Sequence, residues 1–351
     1  MASLGTAAAA SLRLSVLDQS PIAEGSTGGA ALHHSVELAR QADRLGYHRF
    51  WLAEHHQTPA LACASPEAMI GQVAQATSSR LRVGSGGIML PHYSPLKVAE
   101  TFSMLAGMYP DRIDLGLGRA PGTDAPTAFA LQRDRRQAAP DDFPEQLDEL
   151  LAYLENRVPA GHPFARLTRL PGRPEAPVPF LLGSSPMSAI WAAERGLPYV
   201  FADFINSRGA ALARHYRDAF VPTAHRLERP AVIVTAWSVC AETDEEAMQL
   251  ASSFKMLMAL LHRGQLIAVP PVERALRFLA EERVPLDDMP PGRRAIIGSP
   301  QTVRAGITAL AREYGADEVQ IVNIMHDHEA RLRSYELIAE AFELSPAAAS
   351  V

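Results

Sequence analysis

Eight short apolar runs, spread along the chain and separated by amphipathic helical patterns, constrain this 351-residue sequence more than any other feature. The runs are residues 12–17, 50–54, 81–90, 113–118, 178–183, 199–204, 231–240 and 318–324, and each reads as a strand. Helical patterns follow at 33–45, 66–76, 95–108, 143–156, 186–195, 210–220, 245–261, 302–314 and 334–342, with 245–261 and 302–314 both after the seventh strand. Gly46 stops the first helix. Ser65-Pro66 and Ser94-Pro95 open the second and third, a serine at the N-cap and a proline at the first helical position. Strand–helix alternation implies parallel strands joined by right-handed crossovers. Eight repeats predict closure into an α/β TIM (β/α)8 barrel. The alternative is an open doubly wound sheet, which usually carries a G-x-G-x-x-G turn after its first strand. Here the first strand ends Leu17-Asp18-Gln19-Ser20-Pro21, without such a turn.

Two segments break the rhythm: 120–142, rich in Pro, Arg and Asp, and 262–292, which holds Pro270-Pro271 and Pro290-Pro291. Long connections in compact domains often act as lids, so both are expected as insertions over the C-terminal rim, where active sites of this fold lie. One domain is expected over 11–345, with a frayed, alanine-rich stretch at 1–10 that lacks the charge and apolar core of a signal peptide. The 33 Lys+Arg against 39 Asp+Glu argue against nucleic acid or an anionic membrane as the main partner. No apolar run is long enough to span a bilayer. Cys63 and Cys240 are the only cysteines, so a reducing, cytoplasmic setting is expected.

Chemistry concentrates at three strand ends. The third strand carries Val83-Gly84-Ser85-Gly86-Gly87-Ile88-Met89-Leu90. Glycines weaken a strand interior, so such a run serves a bulge, an unusual peptide geometry or a flat ligand pressed against the backbone. The second strand ends Glu54-His55-His56. Adjacent histidines on a strand point to opposite faces and do not readily share a metal, but one can face the barrel mouth, where imidazole suits proton transfer. Other histidines, among them His33, His34, His92, His326 and His328, form no metal-ligand spacing. The fourth strand ends Gly116-Leu117-Gly118-Arg119-Ala120-Pro121-Gly122-Thr123-Asp124, where the guanidinium either binds an anion or makes a structural ion pair. Leu182-Gly183-Ser184-Ser185-Pro186-Met187-Ser188 is a strand end opening a helix, a natural anion site whose serines also serve as N-caps. Arg119 and this turn together describe a phosphate site. Leu17, Phe204, Trp237 and Met325 near strand ends predict an apolar pocket.

In this order and spacing, these segments resemble the luciferase-like flavin-dependent monooxygenases over roughly residues 12–342, and most closely the "group 1" luciferase-family oxidoreductases. The resemblance implies a site built as follows. His55 matches the active-site histidine. Gly86 and Gly87 match a pair joined by a non-prolyl cis peptide beneath the flavin ring. Arg119, Ser184, Ser185 and Ser188 match the FMN phosphate ligands. Glu54, His56, Asp124 and Trp191 would face substrate or lid, and no metal is implied. Bacterial luciferase has an acid in place of Ser184 and a cysteine in place of Gly118, so light emission is not implied.

The activity implied is a two-component monooxygenase. A separate NAD(P)H:flavin reductase supplies reduced FMN (FMNH2), which reacts with O2 to a C4a-hydroperoxide. That species hydroxylates, epoxidises or inserts oxygen into a hydrophobic substrate, one resembling a polyketide by analogy with secondary-metabolite enzymes of this superfamily. His55 would protonate the peroxide or hold the substrate. Relatives are often homodimers through helices near the start of the barrel; 66–76 and 95–108 are apolar enough to serve, with core packing as the alternative reading of their apolar faces. Two other readings stay open at this stage: hydride transfer with deazaflavin F420, and a flavin-binding protein without turnover. A metal-dependent hydrolase is disfavoured because only one strand end offers ligands.

Overall fold

The computed structural model describes residues 12–137, 141–167, 175–289 and 292–345. The stretch 1–10, residues 138–140 of the first insertion, and Pro290-Pro291 of the second lie outside the described residues.

The barrel is closed and all its strands are parallel. β1 (Arg13–Asp18), β2 (Arg49–Leu52), β3 (Arg82–Met89), β4 (Ile113–Gly118), β5 (Val178–Gly183), β6 (Tyr199–Ala202) and β7 (Val232–Cys240) pair in sequence order. β9 (Glu318–Val322) then pairs with both β7 and β1 and closes the ring, as the alternation predicts. The strand-like run near 295, β8 (Ala295–Gly298), stands outside the ring and pairs only with the last residues of β7, Trp237–Cys240.

Around the barrel lie α1 (Gly28–Leu45), α2 (Pro66–Ala76), α3 (Pro95–Met108), α4 (Ala125–Leu131), α5 (Phe143–Leu154), α6 (Pro186–Glu194), α7 (Ala210–Asp218), α8 (Asp244–His262), α9 (Val272–Glu281), α10 (Pro300–Tyr314) and α11 (His328–Ala341). α4 and α9 fall inside the two insertions, where the sequence reading expected loops. Local chemistry sets the ends. Thr27 caps α1 by accepting from the Ala30 N–H at 3.1 Å, and Gly46 stops it at φ 91°, donating to the Ala42 and Asp43 carbonyls. Ser65 and Ser94 occupy the N-cap positions of α2 and α3, but their side chains make no capping bond, so Pro66 and Pro95 carry those starts.

Strand alternation divides the core in two. Val16, Phe50, Leu52, Val83 and Leu115 pack outward against the helices. Leu17, Trp51, Phe180, Ile233 and Val322 fill the barrel interior, Trp51 meeting Phe180 edge-on at 4.9 Å. At the N-terminal ends of the strands, the barrel floor is ionic. Arg49 donates to Asp114 at 2.7 Å and to Glu318 at 2.9 Å, Arg82 donates to Asp114 at 2.9 Å, and Trp51 Nε1 donates to Asp114 at 3.0 Å. Both acids are fully buried, and their charges are met from several directions, which is the condition for keeping ions inside.

Candidate active site

At the opposite end of the barrel, the C-terminal strand ends enclose two adjoining cavities. The inner one, about 450 Å³, is lined by Leu17, by the Gly86–Gly87 backbone, by Gly118, Arg119 and Pro121 after β4, and by Ser184, Ser185, Ser188 and Trp191 at the start of α6. The outer one, about 490 Å³, is lined by the Phe254, Leu257, Met258 and Leu261 face of α8, by Leu266 and Ile267 of the second insertion, and by Gly122–Asp124 of the first. Gln19, His55, Phe204 and Ile205 line both and form the wall between them. A larger groove of about 850 Å³ runs between α1 and α2 on the outside of the barrel, far from these strand ends.

β2 ends at Leu52, two residues short of the expected strand end, so Glu54-His55-His56 leaves the strand and each residue meets different neighbours. His55 falls on the inward side with Trp51 and Ala53 and lines both cavities. Its backbone N–H donates to the Cys63 carbonyl at 3.0 Å, while its Nδ1 is shut away without a partner. Burial drives this imidazole down to about 4, and neighbouring His56 pushes the same way. His55 is therefore neutral at pH 7, carrying one N–H rather than a resting positive charge. That narrows the expected role from a protonated acid to a hydrogen-bonding imidazole.

Glu54 does not face substrate, contrary to the sequence reading. It is fully buried, accepting from the Met89 N–H at 2.9 Å and the Tyr93 hydroxyl at 3.1 Å, and His56 Nε2 lies 2.8 Å from its carboxylate. It thus fastens the end of β3 to β2. His56, its ring held by Glu54 and set edge-on to His92 at 5.8 Å, contributes to the outer cavity wall. Its backbone binds the first insertion: His56 C=O accepts from the Thr123 hydroxyl at 3.0 Å. Asp124 also lines the outer cavity, and its carboxylate caps α4 by accepting from the Thr127 N–H at 2.9 Å.

The glycines of β3 carry the cis peptide that the resemblance implies, and strand packing adds a second cause. The Gly86–Gly87 peptide is cis. A Cβ on Gly84 would sit 2.5 Å from the Asp114 carbonyl and 2.9 Å from Trp51 Nε1, and one on Gly87 would sit 2.7 Å from the Gly116 carbonyl. A Cβ on Gly86 would strike Leu17. Close packing of strand on strand excludes side chains here, and the bared backbone of Gly86–Gly87 then lines the inner cavity.

Arg119 and the serine turn at the start of α6 line the same inner cavity. Arg119 is half exposed, with its guanidinium 5.6 Å from the Trp191 ring and its nearest carboxylate, exposed Asp141, at 3.7 Å. Ser185 caps α6, accepting from the Ser188 N–H at 3.4 Å. The Ser188 hydroxyl donates to the Ser185 carbonyl at 2.7 Å and contacts the Tyr199 hydroxyl at 3.1 Å. Trp191 is nearly buried, and its ring lies 5.3 Å from that of Phe143. Of the apolar residues expected at the mouth, Leu17 and Phe204 are there. Trp237 is buried, its ring 4.0 Å from Phe254, and Met325 is buried; neither lines the two cavities.

Several lining residues escaped the sequence reading, Gln19 and Arg293 among them. Gln19 lies inside the Leu17–Pro21 motif at the end of β1, a position that marks it as a rim residue once the strand is recognised. Arg293 carries no local signal at all.

A parallel eight-stranded barrel with an anion cradle and a glycine-floored cavity at its C-terminal rim is the architecture of a cofactor-binding TIM-barrel oxidoreductase. The family model for luciferase-like monooxygenases matches residues 12–318, and the chain belongs to that family. It is 37% identical over 335 residues to the N-acetyl-S-alkylcysteine monooxygenase of Bacillus subtilis strain 168, covering 94% of this chain and 98% of that protein. The crystal structure of apo-MsnO8 superposes with a TM-score of 0.86 at 42% identity, covering 96% of this chain and 99% of the other. The fold is shared, at 20% identity and a TM-score of 0.70 over 96% of this chain and 99% of the other, with the oxygenating constituent of 3,6-diketocamphane monooxygenase from Pseudomonas putida, solved in complex with FMN.

Proposed function

We propose that this protein is the oxygenating component of a two-component monooxygenase, taking reduced FMN from a separate NAD(P)H:flavin reductase and using O2 to oxidise a small hydrophobic organic molecule. The observation that carries this reading is the pairing of an inner cavity ending in an anion cradle with an apolar outer cavity, and His55 on the wall between them. The residues present fit the cofactor. Arg119 has only an exposed carboxylate at 3.7 Å to displace, and the start of α6 offers N–H groups to a phosphate. The Gly86–Gly87 backbone and Leu17 give a flat ring a floor without projecting side chains.

Bound reduced FMN would supply the electrons and the reaction with O2. Arg119 and the α6 turn would fix its phosphate. Phe204, Leu182 and Trp191 would keep water from the ring. Neutral His55 would hold a hydrogen bond at the boundary between ring and substrate, its one N–H oriented toward the reacting atoms. Met104 and Met108, one turn apart and exposed on α3, favour association of two copies through that face, which sedimentation equilibrium would test.

The deciding experiment is anaerobic titration with photoreduced FMN, followed by rapid mixing with O2 and absorbance recording. Saturable binding and a transient spectrum unlike either free flavin form is the expected result. Binding without a transient would favour a reductase or a carrier. Failure to bind FMN, with binding of F420 seen through its distinct absorbance, would replace this reading with deazaflavin hydride transfer.

A further inference from the structure

Arg293 and Arg294 enter β8 side by side and meet opposite surroundings. Arg294 is neutralised: its Nε lies 3.4 Å from Asp203, its Nη1 donates to Glu313 at 2.5 Å, and its Nη2 donates to the Ser207 carbonyl at 2.9 Å. Arg293 donates only to the Phe204 carbonyl, at 3.1 Å. Among the described residues no carboxylate lies within ion-pair distance of it. Its side chain nevertheless forms part of the outer cavity, opposite the apolar α8 face of Phe254, Leu257, Met258 and Leu261. The only carboxylate among the described residues lining that cavity, Asp124, is engaged in capping α4.

A guanidinium partly withdrawn from water without a counter-ion is unfavourable, and the partial burial of Arg293 lowers its pKa from the ordinary value. It still holds its charge at any physiological pH, and it keeps a fork of donors available to a planar anion. The rest of the cavity is mostly hydrocarbon. Such a surface, one unpaired planar cation in an apolar chamber, is complementary to an amphiphile with a single anionic head.

We propose that the substrate carries a carboxylate at one end of an apolar body, and that Arg293 binds this carboxylate while the apolar body lies along α8. The inference deepens the functional reading above and rests on its assignment of the outer cavity to substrate. It places a specificity-determining charge in the cavity that does not contain Gly86–Gly87, so anion recognition of substrate is separate from the Arg119 cradle.

The test compares decanoate with 1-decanol, which share a chain and differ in charge. Binding to the full-length protein is measured by titration calorimetry, and FMN affinity is measured separately on the same preparations. Wild type is expected to bind decanoate about tenfold more tightly than decanol, the worth of one hydrogen-bonded charge contact. Arg293→Gln removes the preference, Arg293→Lys retains part of it, and FMN affinity stays within about twofold in both. Equal affinity for the two ligands in wild type, binding of neither, or a preference that survives Arg293→Gln overturns the proposal. Loss of FMN binding in wild type alongside an Arg293-dependent preference would remove the flavin reading and leave the anion site standing.

Discussion

A histidine titrating near 4 serves a reaction at pH 7 differently from one titrating near 7. His55 is enclosed by the cavity walls, and desolvation rather than a charged partner sets its state. The pH profile of kcat/KM is therefore expected to show no inflection from His55 between pH 6 and 8, and an acidic limb of turnover only toward about 4. His55→Ala should lower turnover by about 10²-fold or more while leaving FMN affinity nearly intact, since the residue touches the wall between cavities and not the anion cradle. Arg119→Ala should do the reverse. It raises the dissociation constant for FMN by roughly tenfold, one charge-assisted contact, with turnover at saturating FMN largely kept. Steady-state kinetics and fluorescence titration on the two variants separate these outcomes, and a pair of variants both indistinguishable from the parent would sink the site assignment.

At the scale of the element, β3 is the strand on which cofactor chemistry and folding depend together. Its glycines are required by Trp51, Asp114, Gly116 and Leu17 before any ligand arrives. Gly84→Ala is expected to cost about 1–3 kcal/mol, because the new methyl meets backbone and a packed indole rather than a side-chain tip. Gly161→Ala, where nothing lies within 4 Å, should be nearly neutral by comparison. Urea unfolding of the two variants checks the contrast, and equal midpoints would show that the β3–β4 contact yields more easily than its geometry indicates. The floor beneath is as demanding. Asp114 accepts from Arg49, Arg82 and Trp51, so Asp114→Asn leaves two arginines short of charge and should cost several kcal/mol.

At the scale of the whole molecule, closure of the ring brings the two ends of the chain together. Arg331 of α11 donates to Asp18 at the end of β1 at 2.6 Å and to the Asn323 carbonyl at 3.1 Å, all within the buried seam between β1 and β9. The acid response of the fold follows from its histidines. His48, His55 and His328 are each lowered to about 4. Burial is the largest cause for all three. Between their unfolded value near 6.5 and about 4 the unfolded chain binds more protons than the folded one. Their stabilising effect is thus complete above about pH 6.5, falls as pH drops through this window, and levels off below about 4. Asp203 and Glu67, both raised chiefly by burial, oppose the trend, but they are two groups against three. The urea midpoint is expected to decrease steadily from pH 7 to 4.5, and a flat profile over that range would contradict the burial of these imidazoles.

The sequence by itself determined the barrel. Apolar runs, Gly46, the Ser-Pro starts at 65–66 and 94–95, and the order of the strand ends at 54–56, 86–87 and 118–124 act over a few neighbours, so they are legible without the rest of the chain. The same locality explains why Arg119, Ser184, Ser185, Ser188 and His55 could be read as sharing one rim, since each sits near a strand end or helix start, and all five line the inner cavity. What tertiary structure alone decided depends on distant chain. β8 stands outside the ring because it pairs with Trp237–Cys240, beyond most of the stretch of β7 that β9 occupies, a placement that no periodicity records. Glu54 turned from cavity to core because Met89 and Tyr93 wait on its side of β2. The β3 glycines proved to serve packing as well as the cavity. Arg293 and Arg294 are indistinguishable as neighbours in sequence. Only folding gave one its carboxylates and left the other facing an apolar chamber, because ion pairing and desolvation are set by what the rest of the chain brings alongside.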